Sequence, residues 1–282
     1  MFEKLAQSWD LMKASAGVLR SDKELLLFPA LSALSCLIVA ATFFVPAWFA
    51  GLFEHFRQGE HVNPLLTVLG FLFYLTQYFV IIFFNTALVG AALIRLRGGD
   101  PTVADGFRIA MSKLPAIFGY ALISATVGII LRALQERAGF IGRWIIGLIG
   151  AAWAVATFLV VPVLVNHDVG PVDAVKRSVE LLKKTWGQNL IGNAGVGLVF
   201  GLLMVVMVFA GILLIMAAAS AKSAVLIAIA VALMFFGIVV LSLIQAAITG
   251  IYAAAVYRYA EEGVVGGGFD RDVIANAFRV KA

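Results

Sequence analysis

"RGGDPTVADGFRIAMSKLP" (residues 97–115) separates two long apolar runs, and "NHDVGPVDAVKRSVELLKKTW" (residues 166–186) repeats its punctuation. In the first stretch Asp100 is placed to N-cap a helix. Pro101 is placed to begin it, because the first helical residue has no amide partner to lose. Val103, Phe107, Ala110, Met111 and Leu114 then recur at helical spacing on one face, with Asp105, Arg108, Ser112 and Lys113 elsewhere. In the second stretch Pro171 starts the helix, and Val172, Val175, Val179, Leu182 and Trp186 form the apolar stripe. Lys176, Arg177, Lys183 and Lys184 take its polar side. The same pattern opens the chain, where Leu5, Trp9, Met12, Ala16 and Leu19 share a face.

The sequence between these helices is of another kind. Of 282 residues, 62% are hydrophobic and 13% charged, and the mean hydropathy is +1.02; soluble domains carry about 25% charged residues. Apolar runs extend over Leu25–Phe53, Pro64–Ile94, Leu114–Leu131, Trp144–Val165, Asn189–Ser220 and Ser223–Tyr257. Each reaches the roughly 18 to 20 residues that carry a helix across about 30 Å of hydrocarbon. The reading is an all-α polytopic integral membrane protein with six spans. The last run outreaches the bilayer, so tilt or an extension into water is expected. The opening "MFEKLAQSWDLMKASAGVLRSDKE" lacks an apolar h-region, and the first span is expected to stay as a signal anchor.

Lysine and arginine orient the spans. Lys4, Lys13, Arg20, Lys23, Arg95, Arg97, Arg108, Lys113, Lys176, Arg177, Lys183, Lys184, Arg258, Arg271, Arg279 and Lys281 fall on one side. Arg57, Arg132, Arg137, Arg143 and Lys222 fall on the other. This bias puts both termini in the cytoplasm and the protein in the cell (inner) membrane. The chain then reads as one membrane domain, 1–282, with approximate repeats 1–60, 100–165 and 171–257. Each repeat is a cytoplasmic amphipathic helix followed by a transmembrane hairpin, and Pro101 and Pro171 mark equivalent points. The tail, 258–282, carries a short fourth amphipathic helix, "FDRDVIANAFRVK".

Helices with Trp and Leu on one face and Lys and Arg on the other suit a headgroup layer and anionic lipid, or a collar packed on the protein's own rim. Membrane lipids are therefore the expected partner, through Trp9, Arg108, Lys176, Arg177, Lys183 and Trp186. A homo-oligomer is compatible with the small-residue stripes Asn193, Gly197, Gly201 and Ala246, Gly250, Ala254. The pI of 9.4 is explained by topology, since no basic cluster with interleaved aromatics points to nucleic acid.

"AVKRSVELLKKTWGQNLIG" (residues 174–192) resembles the Ala-x-x-x-Ser, Leu, Trp pattern of the cytoplasmic helix in the membrane-domain group of glycerophosphoryl diester phosphodiesterases. Ala174, Ser178, Leu181 and Trp186 match it. The whole chain, with its "GGGFDRDVIANAFR" ending, resembles a six-span bacterial family classed as a domain of unknown function. The resemblance implies a fold and a location, and no catalytic residue.

The spans hold no acid or base in their central portions, which weakens an ion-coupled transporter. Neutral polar residues remain: Thr76, Gln77, Asn85 and Thr86; Gln188, Asn189 and Asn193; Ser242, Gln245 and Thr249. They either hydrogen-bond between helices or line a wet path. Gln77, Asn85, Asn193 and Gln245 are the candidates for path or packing. Pro46 and Pro162 each remove a backbone bond within a span, which predicts kinks. In "FEHFRQGEH" (residues 53–61) the ligand spacing matches neither HExxH nor a Cys/His zinc site, so no metal is read there. His167 and Asp168 read as a helix stop, and Cys36, alone, as a packing residue. Neither a nucleophile with its base nor a nucleotide motif is present, so no enzyme and no cofactor are expected. The leading expectation is a non-enzymatic membrane-organising, lipid-interacting or accessory protein. A passive channel or exporter for a small solute or lipid is the alternative.

Overall fold

The computed structural model describes residues 2–50, 64–184 and 189–263, and the elements found there are helices. In chain order they are α1 (Phe2–Ser21), a 3₁₀ turn (Lys23–Leu26), α2 (Leu27–Phe49), α3 (Pro64–Leu96), α4 (Val103–Ser112), α5 (Leu114–Arg137), α6 (Phe140–Ala156), α7 (Val160–Asn166), α8 (Pro171–Lys184), α9 (Asn189–Ser220) and α10 (Ala224–Glu262). Among the described residues six segments are long and apolar enough to cross a membrane: Lys23–Phe49, Leu66–Leu96, Leu114–Arg137, Phe140–Asn166, Val199–Ser220 and Ala224–Glu262. They match the six runs read from the sequence and make the chain a multi-pass membrane protein. The expected C-terminal helix and the "FEHFRQGEH" loop lie outside the described residues.

The chain divides into two compact units, one of residues 1–26, 92–100 and 183–282, the other of residues 27–91 and 101–182. In the second, burial gathers at the ends of the spans that the charge bias assigns to the cytoplasm. Phe28 and Pro29 are buried where α2 begins. Buried too are Ala87, Leu88, Val89 and Ala91 near the end of α3, Ile117, Tyr120, Ala121 and Ala125 early in α5, and Val160 to Leu164 in α7. The opposite ends are open, with Trp48 74%, Phe49 85%, Phe140 78% and Trp144 67% exposed. Lipid tails are as apolar as leucine, so hydrocarbon-facing surface gains little from burial in protein; the water-facing end does gain.

α4 closes this core. Phe107 packs against Phe28, Phe83 and Phe84 with ring centroids 5.8, 6.0 and 5.8 Å apart. Gly106 lies so close to its neighbours that a Cβ there would fall 2.5 Å from Phe28 and 2.8 Å from the Ala87 carbonyl oxygen. The start of α4 departs from the expected one. Thr102, not Asp100, is the N-cap, and its hydroxyl accepts from the Asp105 amide while the Asp105 carboxylate accepts from the Thr102 amide, a reciprocal capping box. Pro101 therefore precedes the cap, whereas Pro171 is the first residue of α8. Relative to the helix start, Pro171 corresponds to Val103, not to Pro101.

In the first unit α1 packs against α9 and α10, with Met12, Phe200 and Ile248 as the buried centre and Ala16, Leu19, Val199, Leu241 and Ile244 around it. α10 has 39 residues and is about 58 Å long at 1.5 Å per residue. Its exposure changes at one point. From Ala224 to Ala246 the helix is open apart from Ala230, and from Ala247 to Arg258 all but Thr249 are buried. The open part is about 34 Å long, a length that could cross the hydrocarbon. α9 and α10 hold each other by reciprocal insertion: Met234 fills the space over Gly211 and Met207 that over Gly237. Gly197 and Gly201 face open space instead, so the expected small-residue stripe is not what joins this pair.

Candidate functional site

α8 presents two contrasting faces. Ala174, Ser178, Leu181 and Leu182 are buried, while Val172, Asp173, Lys176, Glu180 and Lys183 are exposed and Val175, Arg177 and Val179 are half-buried. Of the expected stripe Val172, Val175, Val179, Leu182 and Trp186, Leu182 is buried, Val175 and Val179 are half-buried and Val172 is exposed, so the buried face is centred instead on Ala174, Ser178 and Leu181. In α4 the expected Ala110 is buried, but it is joined by Gly106, and the expected Met111 is 56% exposed. Counted from the first helical residue, both helices bury small residues at the fourth and eighth positions, Gly106 and Ala110 in one, Ala174 and Ser178 in the other. Small residues let two backbones approach, and that decides the docking face more than side-chain hydrophobicity does.

The docking of α8 is polar as well. The Ser178 hydroxyl donates to the Ala156 carbonyl at 2.7 Å and accepts from the Leu159 amide at 3.2 Å. These are the backbone groups left unmatched where the fourth span breaks between α6 and α7. The sequence led one to expect a kink at Pro162; the structure has a full interruption over Thr157, Phe158 and Leu159. At the far end of α7 the Lys113 ammonium donates to the His167 carbonyl at 3.2 Å and to the Asp168 carboxylate. That bond holds the Asp168 carboxyl below the usual carboxylate range. His167 is the C-cap of α7, a helix stop.

The outward cations are partly matched by acids of their own helix. Arg108 donates to Asp105 at 2.9 Å and Lys176 to Asp173 at 3.0 Å. Hydrogen bonds from Thr102, with Arg108 adding to them, hold the Asp105 carboxyl below its ordinary range. Exposed pairs of this kind are weak in water, and Lys183 stands exposed on the same side of α8 as Lys176. Trp186 lies outside the described residues, and the side chains of Trp9 and Asn193, although their helices are placed, do too.

Among the path or packing candidates, Gln77 donates its amide to the Cys36 carbonyl at 3.0 Å, a bond between α3 and α2. Asn85 and Gln245 are half-buried in α3 and α10. Thr76, Thr86 and Ser242 turn their hydroxyls back on carbonyls of their own helices. An open groove between α9 and α10, lined by residues such as Met207, Gly211, Met234 and Gly237, has an apolar lining and offers tails a surface without chemistry.

Two arrangements were not read from the sequence. At the end of α3, Gly98 adopts a left-handed φ of 88°, and the Gly99 amide reaches back to the Ile94 carbonyl at 3.0 Å, the Schellman ending that glycine permits. Two residues before Gly98, the Leu96 carbonyl accepts from buried Arg258 of α10, which also donates at 3.0 Å to Glu262. Glu262 also accepts from Arg97 at 2.8 Å. The second arrangement is at the α1 end, where buried Asp22 has one carboxylate oxygen without a hydrogen-bond partner among the described residues. Burial raises its pKa, and nearby Arg95 opposes that shift. A sequence signal for the clasp existed in the spacing of Arg258 and Glu262, one turn apart; its partner on α3 had none.

No protein of curated function matches the chain. A family model does, over residues 65–268, which takes in α3 through the end of α10: a family of unknown function, DUF6159. The match carries nothing for the resemblance to the phosphodiesterase membrane domain. Covering well over half of the sequence, it places the chain in this family of unknown function.

Proposed function

We propose that this is a non-enzymatic inner-membrane protein that engages the lipid of the cytoplasmic leaflet and organises it, with both termini cytoplasmic. The observation that carries the reading is the division of α8: small residues docked inward on the spans, and Lys176 and Lys183 turned outward beside exposed Val172. A helix so fastened holds its cations at a fixed height, where anionic headgroups contribute about 1 kcal/mol per basic residue. α4 belongs to the same design with less charge, since Arg108 is matched by Asp105.

The repeat reading fits this proposal in a modified form. α4 docks on the hairpin of α2 and α3, α8 on that of α5 to α7, and α1 on that of α9 and α10. Each hairpin thus has one amphipathic helix against its inner end, and for α4 and α8 it is the hairpin preceding the helix. A passive path lined by Gln77, Asn85, Asn193 and Gln245 draws less support, because Gln77 already spends its amide on Cys36.

Nanodiscs containing equal anionic and zwitterionic lipid provide the test. The purified protein is expected to retain anionic lipid in native mass spectrometry. Combined K176Q and K183Q should reduce that retention several-fold. Equal retention of both lipids by the wild-type protein would overturn the proposal.

A further inference from the structure

The interruption in the fourth span has the makings of a hinge. In an unbroken helix the Leu159 amide would bond the Val155 carbonyl, and the Val160 amide the Ala156 carbonyl. Here the Phe158 amide takes Val155 at 3.1 Å and the Val160 amide takes Thr157 at 3.1 Å, both one residue short. Pro162 has no amide to offer Phe158. The Leu159 amide and the Ala156 carbonyl are left over, and the Ser178 hydroxyl bonds both. A hydroxyl inserted into the backbone ladder in this way is a recognised cause of a sharp bend. In this protein the hydroxyl comes from a different helix, nineteen residues beyond Leu159 in sequence.

The two sides of the break are held differently. α7 is buried from Val160 to Leu164 and is fastened at its far end by Lys113. In α6 no residue is buried, and Phe140, Ile141, Trp144, Ile145 and Leu148 are each more than half exposed. One arm is therefore fixed in protein and the other lies open along its length, with a three-residue joint between them. Close packing in α7 and its absence in α6 localise any motion to the joint.

We propose that Thr157–Leu159 is a hinge in the fourth span and that Ser178 is its latch, so that the seating of α8 sets the angle between α6 and α7. This goes beyond the lipid reading and stands without it. Ser178 acts here as a positioning residue, and its fully buried site admits no substitute from water: with the hydroxyl gone, the Leu159 amide and the Ala156 carbonyl can be satisfied only by their own helical partners, the Val155 carbonyl and the Val160 amide, which changes the bend.

The experiment measures the distance between spin labels at W144C on α6 and V172C at the start of α8, both exposed positions, in a C36A background in nanodiscs. Wild-type Ser178 is expected to give one narrow distance distribution. S178A should move or broaden it by several ångströms, whereas T126A, which removes a hydroxyl bonded within its own helix, should leave it unchanged. An S178A distribution superimposable on the wild type would overturn the proposal. Should S178A not yield folded protein, amide exchange of the wild type decides: the latch predicts that the Leu159 amide is protected together with that of Val163. Exchange at Leu159 as fast as in an unfolded segment would overturn it.

Discussion

Replacing Gly106 with leucine is expected to abolish folding of the protein, and even Gly106→Ala should lower its stability. A Cβ at this position meets the Phe28 ring at 2.5 Å and the Ala87 carbonyl oxygen at 2.8 Å. The ring could turn aside, but the carbonyl belongs to the helical backbone of α3 and cannot. Overpacking of this kind costs about 1 to 3 kcal/mol for modest additions, against the roughly 0.5 to 1 kcal/mol that alanine gains over glycine in a helix. A net loss of up to about 2.5 kcal/mol follows for alanine. Leucine adds three more carbons to the same gap. Gly70 in α3 provides the contrast: nothing lies within 4 Å of its added Cβ, and Gly70→Ala should match or exceed the wild type. Thermal unfolding in detergent, followed by loss of monodisperse protein, reads all three. The comparison separates a helix docked on the spans from one floating in headgroups, where Gly106 would tolerate any side chain.

The second large effect is expected at the clasp between α3 and α10. Glu262→Leu removes the carboxylate that answers both Arg258 and Arg97. Arg258, with 9% of its side chain exposed, is left buried with the Leu96 carbonyl for company. Stripping one partner from a fully buried pair costs about 3 to 5 kcal/mol; Glu262, 31% exposed, is less enclosed, so about 2 to 3 kcal/mol is expected. Arg258→Leu should cost less. It takes away the charge that needed burial, keeps the Arg97–Glu262 pair, and strands a single carbonyl, a loss of about 1 to 3 kcal/mol. Unfolding temperatures should therefore fall in the order Glu262→Leu below Arg258→Leu below wild type. The reverse order would mean that Arg258 serves as a cap on α3 and that Glu262 is dispensable.

These two sites show where sequence reasoning reached and where it stopped. Span number follows from composition and length, which depend on no tertiary contact, and all six spans were legible. So were the polar helices between them, because charge cannot enter hydrocarbon. Their inward faces were so only in part. Ranking residues by hydrophobicity selected Ala110 and Leu182, which are buried, but also Val172 and Met111, which are 54% and 56% exposed, and it passed over Gly106, Ala174 and Ser178. In a membrane protein the closest approach belongs to the smallest side chains, and the four-residue spacing of those small residues was present to be read. The Ala-x-x-x-Ser pattern had singled out Ala174 and Ser178 without a physical reason; burial of both supplies one. The helix start slipped by two residues because Asp100 and Thr102 are both good caps, and the acid three residues after Thr102 settles between them. Partners distant in sequence, such as Ser178 with the broken fourth span or Arg258 with Leu96, leave no local pattern at all.

The claim beneath all of this is that α4 and α8 lie on the cytoplasmic side with small-residue faces against the spans and basic faces outward. Labelling single cysteines with a membrane-impermeant maleimide, in a C36A background, tests it most directly. K183C and V172C should react in inverted membrane vesicles and not in intact cells, K222C at the α9–α10 turn should show the opposite sidedness, and A174C, fully buried, should stay unlabelled from both sides until the protein is denatured. Labelling of K183C and K222C from the same side, or of A174C as readily as K183C, would contradict the account.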